Sequence, residues 1–269
     1  MRRLAPVCGL AVLVLAAGCG NSSTSGSAAP VASDAASRHP ADAAGLVAAA
    51  SAKTLDKKSS RVDTSVVSST GLRLQSTGAY DYRRGDAVVD ITTRTSGRTT
   101  QQRMILVSGV AYLNVPGLGT GGKYIKLDLA GLTGRSGGSA FDQTTSLNLL
   151  RGATDSLHMV GSESVRGVAT THVAGTLDQH KALAAIPDAK QRAALTKLSS
   201  LVKTPNRLPV DLWIDDSGVL RRQKQTVSLA SQRVSGVSVP ASTVTTTTEF
   251  YDFGGPVKAV APPPNAVVG

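Results

Sequence analysis

The chain has 269 residues, with 29 Lys or Arg against 18 Asp or Glu and a formal net charge of +11. Aromatic residues make up only 3% of it, too few for the stacking surfaces that bind single-stranded nucleic acid. We therefore expect no nucleic-acid partner. The basic balance favours a surface that faces anionic lipid headgroups or acidic cell-wall polymers.

The first residues have the order of segments that is typical of an exported protein. "MRR" gives a positive start, an apolar stretch follows, and small residues precede Cys19. The apolar stretch is shorter than the ~20 residues that span a bilayer. "LAAGC" resembles the bacterial lipobox, in which the cysteine is diacylated on sulfur and becomes the mature N-terminus. We predict a signal peptide over residues 1–18, lipidation of Cys19 and a location on the extracytoplasmic face of the cell membrane. The alternative is an ordinary signal peptide that leaves Cys19 as a free thiol.

Residues 19–40 predict a flexible tether between that anchor and a folded body. They are rich in Gly, Ser and Ala and carry almost no bulky apolar residue, so they cannot bury a core. About 20 such residues have a root-mean-square reach of about 25 Å. Cys8 would be removed with the signal peptide, so the mature chain would contain no disulfide.

The first half of the body predicts a helix followed by a meander. Pro40 suits a helix start and the basic pair Lys57–Lys58 suits a helix end, which indicates a helix over 41–58. Over 61–128 apolar and polar residues alternate with a period of two, and Ser/Arg–Gly turns separate the runs. This pattern predicts an antiparallel meander with one apolar face and one wet face.

The second half predicts further strands between short helices. The predicted elements are a helix over 139–153, two strands meeting at the turn Arg166–Gly167, a helical stretch over 179–202 broken near Pro187, a hairpin turning at Asp215–Gly218, and a last strand over 241–253. This order is α+β around a large antiparallel sheet, because strands and helices do not alternate as in βαβ units.

Two sequence matches to catalytic motifs do not have the required context. "GLGTGG", residues 117–122, fits G-x-G-x-x-G, but it joins two predicted strands, whereas a dinucleotide fingerprint leads from a strand into a helix. "GRSGG" fits G-x-S-x-G, but Ser136 lies in a glycine-rich loop and not in a strand–helix elbow. Asp155, His158 and His172 follow Ser136 in the order of a hydrolase triad, which keeps an envelope hydrolase as a third hypothesis. We expect a hairpin loop at the first motif and no enzyme activity.

Metal and cofactor binding are not expected either. The four histidines, His39, His158, His172 and His180, form no close ligand pair, and the acidic residues are scattered. Adjacent carboxylates occur at Asp215–Asp216, where a hairpin turn explains them better than glycoside hydrolysis does.

A wide sheet with one apolar face must cover that face, and the predicted helices are few. A sheet that curls partly around helices can leave an apolar cavity, as small barrels do. The residues we predict to line such a cavity are Val89, Ile91, Leu106, Leu147 and Leu150. The alternative is a core filled by side chains, with no cavity.

Three stretches together resemble the actinobacterial LppX/LprA/LprF/LprG lipoproteins of the LolA/LolB-like superfamily. They are "ESVRGVATTHVAGTLD" (163–178), "LPVDLWIDDSGVLRRQKQTV" (208–227) and "FYDFGGPVKAVAPP" (250–263). The residues that carry the resemblance are Gly167, Thr171, His172, Pro209, Trp213, Ile214, Asp215, Gly218, Asp252, Phe253 and Pro256.

The resemblance implies one domain over about residues 41–265. Its fold would be a half-barrel, a large curved antiparallel sheet with helices on the concave face. It also implies that acylated lipids or lipoglycans bind in an apolar cavity for transfer or presentation in the cell envelope. We expect a monomer without cofactor. The alternative function is a non-enzymatic envelope sensor or protein-interaction module without a lipid cavity.

Overall fold

The computed structural model describes residues 40–117, 119–128, 154–184, 205–234 and 237–268, with the single positions 147, 150, 186, 189, 192, 193 and 196. The predicted signal peptide, nearly all of the tether, Cys19 and Ser136 lie outside the described residues. So does most of the predicted helix over 139–153, of which Leu147 and Leu150 are described and helical. Within the described segments, no helix combines the length and the apolar character needed to cross a membrane.

The described elements follow the predicted order. The helices are α1 (Pro40–Asp56) and α2 (Gln179–Ala184), and a short 3₁₀ turn spans Pro264–Ala266. The strands are β1 (Ser59–Ser68), β2 (Arg73–Asp81), β3 (Asp86–Thr95), β4 (Arg98–Val107), β5 (Val110–Asn114), β6 (Ile125–Asp128), β7 (Thr154–Val165), β8 (Val168–Asp178), β9 (Arg207–Asp215), β10 (Leu220–Leu229), β11 (Gln232–Val234), β12 (Val237–Val239) and β13 (Ser242–Tyr251).

Eleven of these strands form one open antiparallel sheet. Its order is β6-β5-β4-β3-β2-β1-β13-β10-β9-β8-β7, so the meander β1–β6 and the later strands β7–β10 are joined through the pairing of β1 with β13. The end strands β6 and β7 do not pair with each other, and the sheet therefore does not close into a barrel. The predicted α+β half-barrel is confirmed.

One face of the sheet, called the inner face below, carries the hydrophobic core. Successive side chains of a strand point to opposite faces, and in β3 the core residues Ala87 and Val89 alternate with the exposed Asp90 and the half-buried Val88. The cross-strand pairs Val62–Phe250 and Leu106–Ala87 continue the same apolar surface onto neighbouring strands. The opposite face is called the outer face.

Helix α1 packs on the inner face through Ala43, Val47 and Ala50, which are spaced to lie on one side of a helix and are at most 2% exposed. It contacts strands β7, β9 and β10. Thr54 ties its last turn to the sheet, because its hydroxyl accepts a hydrogen bond from the backbone N–H of Leu220 at 3.0 Å. The hydroxyl of Ser51 donates a hydrogen bond to the carbonyl oxygen of Leu147, which holds this helical residue against α1.

Some predicted boundaries are wrong. Helix α1 ends two residues early, where Lys58 adopts a positive φ of 70° and turns the chain into β1. The last strand ends at Tyr251, since Asp252 has a φ of 47°. In the predicted helical stretch over 179–202, α2 ends at Ala184 and Ile186 is not helical, which agrees with a break near Pro187. The two-stranded ribbon of β11 and β12 was not expected.

Candidate functional site

The five predicted lining residues all belong to the inner face or to the helical positions that cover it. Val89, Leu106, Leu147 and Leu150 are at most 3% exposed and belong to one continuous core cluster. Ile91 is half-buried and packs against that cluster. In this structure the first four residues are part of a packed core, and Ile91 lies at its border.

Other apolar side chains of the inner face are also accessible to solvent. Five inner-face residues are half-buried and are arranged on neighbouring strands: Val66, Leu74, Ile91, Leu113 and Ile125. Val66 stands opposite Leu74, and Leu113 stands opposite Ile125. The inner face therefore offers apolar surface that its own core does not fully cover.

A polar row crosses the inner face at the level of Ile91. Ser76 and Gln102 flank Ile91 on the two neighbouring strands, and Thr64 stands opposite Ser76. The hydroxyls of Thr64 and Thr248 hydrogen-bond to each other at 3.2 Å. This row runs between the accessible apolar residues of β1 and β2 and those of β5 and β6, so a ligand there would meet both carbon and hydroxyl or amide groups.

The outer face holds a cavity of about 430 Å³. Its lining is charged and polar: Glu163, His172, Asp211, Trp213, Arg222, Lys224, Thr247 and Glu249. The two rings among them, those of His172 and Trp213, are stacked with centroids 4.3 Å apart and an interplanar angle of 9°. Their stacking follows from the register, which places the two residues opposite each other on β8 and β9.

His172 lies between two carboxylates. Its Nε2 atom is 2.9 Å from Oδ1 of Asp211, and its Nδ1 atom is 3.2 Å from Oε1 of Glu163. The first contact is a hydrogen bond, whereas the second is close enough for an ion pair but lacks hydrogen-bond geometry. The ring is thereby held by the two carboxylates and by Trp213.

Arg166, at the tip of the β7–β8 hairpin, fixes that tip to the outer face. Its Nε atom donates to Glu249 at 2.7 Å, another nitrogen donates to Asp63, and the guanidinium lies 3.9 Å above the ring of Tyr251. Partial burial opposes the positive charge, but the hydrogen bonds to Glu249 and Asp63 outweigh it and raise the pKa of Arg166 above its usual value. Burial, together with the hydrogen bond to Asp63, also raises the pKa of Tyr251.

Asp215 has a structural position in the β9–β10 turn, as its sequence context predicted. It accepts hydrogen bonds from Ser217 Oγ at 2.6 Å, the backbone N–H of Val219 at 2.9 Å and Arg221 Nε at 2.6 Å. Burial would raise its pKa, but these three donors hold the pKa of Asp215 below its usual value. The adjacent Asp216 is exposed. The two carboxylates therefore differ in environment, and both residues belong to the turn.

The remaining candidate residues are dispersed. The described residues of the motif over 117–122 lie between β5 and β6, and Gly119 and Gly121 have positive φ, so the predicted hairpin loop is confirmed. Asp155 pairs with Lys181 at 3.0 Å, and His158 is exposed. Among the described residues, no three His, Cys, Asp or Glu side chains are placed to hold a metal ion.

The sequence did not reveal the outer-face cavity. His172 and Trp213 were both singled out, but as residues of separate stretches, because nothing in their spacing gives the register of β8 against β9. The signal that could have placed them together is the alternation of side chains along each strand. His172 alternates with Val173, and Trp213 alternates with Leu212, both fully buried in the core, which places the two rings together on the face opposite the core.

The open sheet with helices on one face defines the fold class, and comparison with solved structures finds similar structures among mycobacterial proteins. LprF from Mycobacterium bovis matches with a TM-score of 0.51 at 17% identity, covering 82% of this chain and 97% of LprF. LppX from Mycobacterium tuberculosis matches with a TM-score of 0.46 at 14% identity, covering 80% and 98%. No protein-family model and no curated protein matches the chain. The resemblance predicted from three sequence stretches is confirmed at the level of the fold.

Proposed function

We propose that this protein is a membrane-anchored envelope lipoprotein that binds acylated lipids or lipoglycans on the inner face of its sheet, without catalysis. The observation that carries the proposal is the apolar surface of the half-buried residues Val66, Leu74, Ile91, Leu113 and Ile125. Three of them, Val66, Ile91 and Leu113, pack against the core. Acyl chains gain ~0.8 kcal/mol per buried CH₂ group on such a surface. The gain in a bilayer is similar, so exchange between the two runs near balance.

The polar row beside Ile91 gives a bound lipid hydrogen-bond partners. Thr64, Ser76 and Gln102 offer hydroxyl and amide groups within the apolar surface, where the ester or glycan oxygens of a lipid would bind. The buried Val89, Leu106, Leu147 and Leu150 would form the floor and cover of the site, and Ile91 would touch the ligand. LprF from Mycobacterium bovis shares the fold.

Lipidation of Cys19 would keep the domain close to its ligands. A diacylated Cys19 and a tether of about 20 residues would allow a reach of about 25 Å from the membrane. Replacement of Cys19 by Ser in the full chain is expected to move the protein from the membrane fraction to the soluble extracellular or periplasmic fraction. Retention of Cys19→Ser in the membrane would contradict the anchor and leave the lipid site untouched.

The lipid site is tested with matched variants of one strand. Ile91→Gln places an amide on the inner face, whereas Val88→Gln replaces another half-buried aliphatic residue of β3 on the outer face. The full chain is purified from membranes, its bound lipid is measured by mass spectrometry, and binding of a fluorescent C16 fatty acid is titrated. We expect bound lipid in the wild type and in Val88→Gln, and a several-fold loss in Ile91→Gln. Absence of lipid from all three proteins, or equal binding by both variants, would overturn the proposal.

The outer-face cavity favours a second candidate function, an envelope sensor or protein-interaction module. Its lining is charged and open, unlike the inner face, and Lys224 there makes no ion pair with any described residue. A specific protein partner retained by the wild type and lost in Lys224→Glu, with fatty-acid binding unchanged, would support this function.

A further inference from the structure

Two arginines of the outer face stand directly opposite each other. Arg73 of β2 pairs with Arg94 of β3 in the register of the sheet, which brings their Cβ atoms to about 4.5–5.5 Å. Both side chains are exposed. Like charges in this arrangement destabilise a sheet, so the pair is a local cost to the fold.

No carboxylate of the described residues compensates this pair. Neither Arg73 nor Arg94 has an ion pair or a side-chain hydrogen bond with any described residue, whereas Arg103, on the same face, is paired with Asp90 at 3.1 Å. Asp90 lies four residues before Arg94 on the same strand, about 13 Å away along it. That distance exceeds the Debye length of about 10 Å at 0.1 M salt, so Asp90 does little to neutralise the pair.

The cavity beside the two arginines has a size and a lining that suit an anion. A cavity of about 120 Å³ is lined by Ser65, Val67, Arg73, Leu74, Gln75, Thr92 and Arg94. The outer-face members form two adjacent rows across β1, β2 and β3, Val67–Arg73–Arg94 and Ser65–Gln75–Thr92. The lining residues offer hydrogen-bond donors from two guanidinium groups, two hydroxyls and one amide. None of these residues is acidic.

We propose that Arg73 and Arg94 form an anion-binding site for a phosphate-bearing group on the outer face of the sheet. Guanidinium groups bind phosphate through paired N–H donors, and two of them side by side match a tetrahedral oxyanion. The cavity is smaller than those that enclose drug-sized ligands, so the site takes the phosphate and leaves the rest of its bearer outside. The bearer is either an anionic lipid headgroup or free inorganic phosphate. The two arginines lie on the face opposite the acyl-binding surface, and Leu74 is the residue that the two proposed sites share.

The repulsion between the arginines gives the test a specific signature. All proteins carry Cys19→Ser in the full chain, so that no lipid anchor holds them to vesicles. Arg73→Gln and Arg94→Gln remove the repulsion and the site together. The matched control is Arg61→Gln, which removes an exposed arginine that lies on the same face and makes no ion pair with any described residue. At low salt without phosphate, we expect each site variant to melt about 1–3 °C higher than the parent, and the control not to.

Two probes then distinguish the sources of phosphate. Inorganic phosphate, added at constant ionic strength against NaCl, should raise the melting temperature of the parent and of Arg61→Gln but not that of the site variants. Vesicles of phosphatidylglycerol, compared with phosphatidylcholine in a sedimentation assay, should retain the parent and the control several-fold better than Arg73→Gln. A response to phosphate identifies a free-anion site, and a response to vesicles alone identifies a headgroup site. No response to either probe, or equal losses in Arg61→Gln and Arg73→Gln, would overturn the proposal.

Discussion

His172 lies flat against Trp213, with ring centroids 4.3 Å apart and planes 9° from parallel. The two rings belong to opposing positions of β8 and β9, and Arg222 of β10 lies 5.2 Å from the Trp213 ring centroid. This stack closes one side of the outer-face cavity. It also buries Trp213 to 5% exposure although its Nε1 atom has no hydrogen-bond partner in the described part of the chain.

The buried Nε1 atom leads to a prediction about Trp213, the single tryptophan of the chain. Trp213→Ala should lower the free energy of unfolding by about 3–5 kcal/mol, because it removes a large buried ring. Trp213→Phe should cost much less, since it keeps an aromatic partner for His172 and removes an unsatisfied buried donor that is itself costly. Urea unfolding followed by circular dichroism measures both variants. Equal costs for the two would contradict this account of Nε1.

The contact of Arg166 with Glu249 should couple the β7–β8 hairpin to β13. Because the Arg166 side chain is 39% exposed, solvent screening limits the expected coupling energy to about 0.5–1 kcal/mol. A double-mutant cycle with Arg166→Met and Glu249→Gln measures it, and it should shrink in 1 M salt. The exposed pair Arg103–Asp90 is the control and should couple more weakly. A coupling that is no larger than in this control would show that the hairpin tip is not held by charge.

Asp215 should make stability depend on acid pH. Its folded-state pKa lies below the usual 3.8, so the protein binds fewer protons at this site when folded than when unfolded. The stabilisation is therefore complete above pH 3.8 and is lost as the pH falls through the lower folded value. Asp215→Asn should cost about 1–3 kcal/mol at pH 7, and the difference from the wild type should narrow between pH 4 and pH 2. Asp216→Asn, at the exposed neighbouring position, should have little effect at any pH. A constant difference for Asp215→Asn across this range would contradict the role of the carboxylate.

The sheet was predictable because its signals are local. Alternation of apolar and polar residues places Ala87 and Val89 on one face, and turns such as Arg166–Gly167 separate the strands. The meander, the later hairpins and the apolar face of the sheet therefore follow from the sequence alone. The pairing of β1 with β13 joins residues about 185 positions apart in sequence, as between Asp63 and Glu249. No local pattern encodes that pairing. The resemblance to LppX/LprA/LprF/LprG-type lipoproteins implied a half-barrel but did not specify this pairing.

The sites were less predictable, because they too depend on contacts between residues that are distant in sequence. Val89 and Leu106 were expected on the inner face from their parity, and they are there, but whether a side chain ends in a packed core or at its accessible border depends on what covers it. The pairing of Arg73 with Arg94 likewise depends on the register of β2 against β3. A shift of one residue would move either side chain to the other face.

The close packing of β7 on β8 should be sensitive to one added methyl group. A Cβ atom on Gly175 would lie 2.5 Å from Cδ2 of Leu157 and 3.0 Å from the carbonyl oxygen of Asp155. Gly175→Ala should therefore cost about 1–3 kcal/mol. Gly161→Ala, on β7 with no atom within 4 Å of the added Cβ, is the control and should be neutral or slightly stabilising. Thermal unfolding compares the two, and similar melting temperatures would contradict the close approach at Gly175.

Substitutions of core residues and of border residues on the inner face should have different effects on stability and on lipid binding. Leu147 is fully buried, so Leu147→Ala should lower the free energy of unfolding by about 2–5 kcal/mol through lost contacts and a residual cavity. Ile91 is half-buried, and Ile91→Ala should cost less because solvent already reaches its side chain. If acyl chains bind where we propose, Ile91→Ala should nevertheless weaken binding of a fluorescent C16 fatty acid at least as much as Leu147→Ala does, under conditions where both variants remain folded. A loss of binding that simply follows the loss of stability would place the ligand elsewhere.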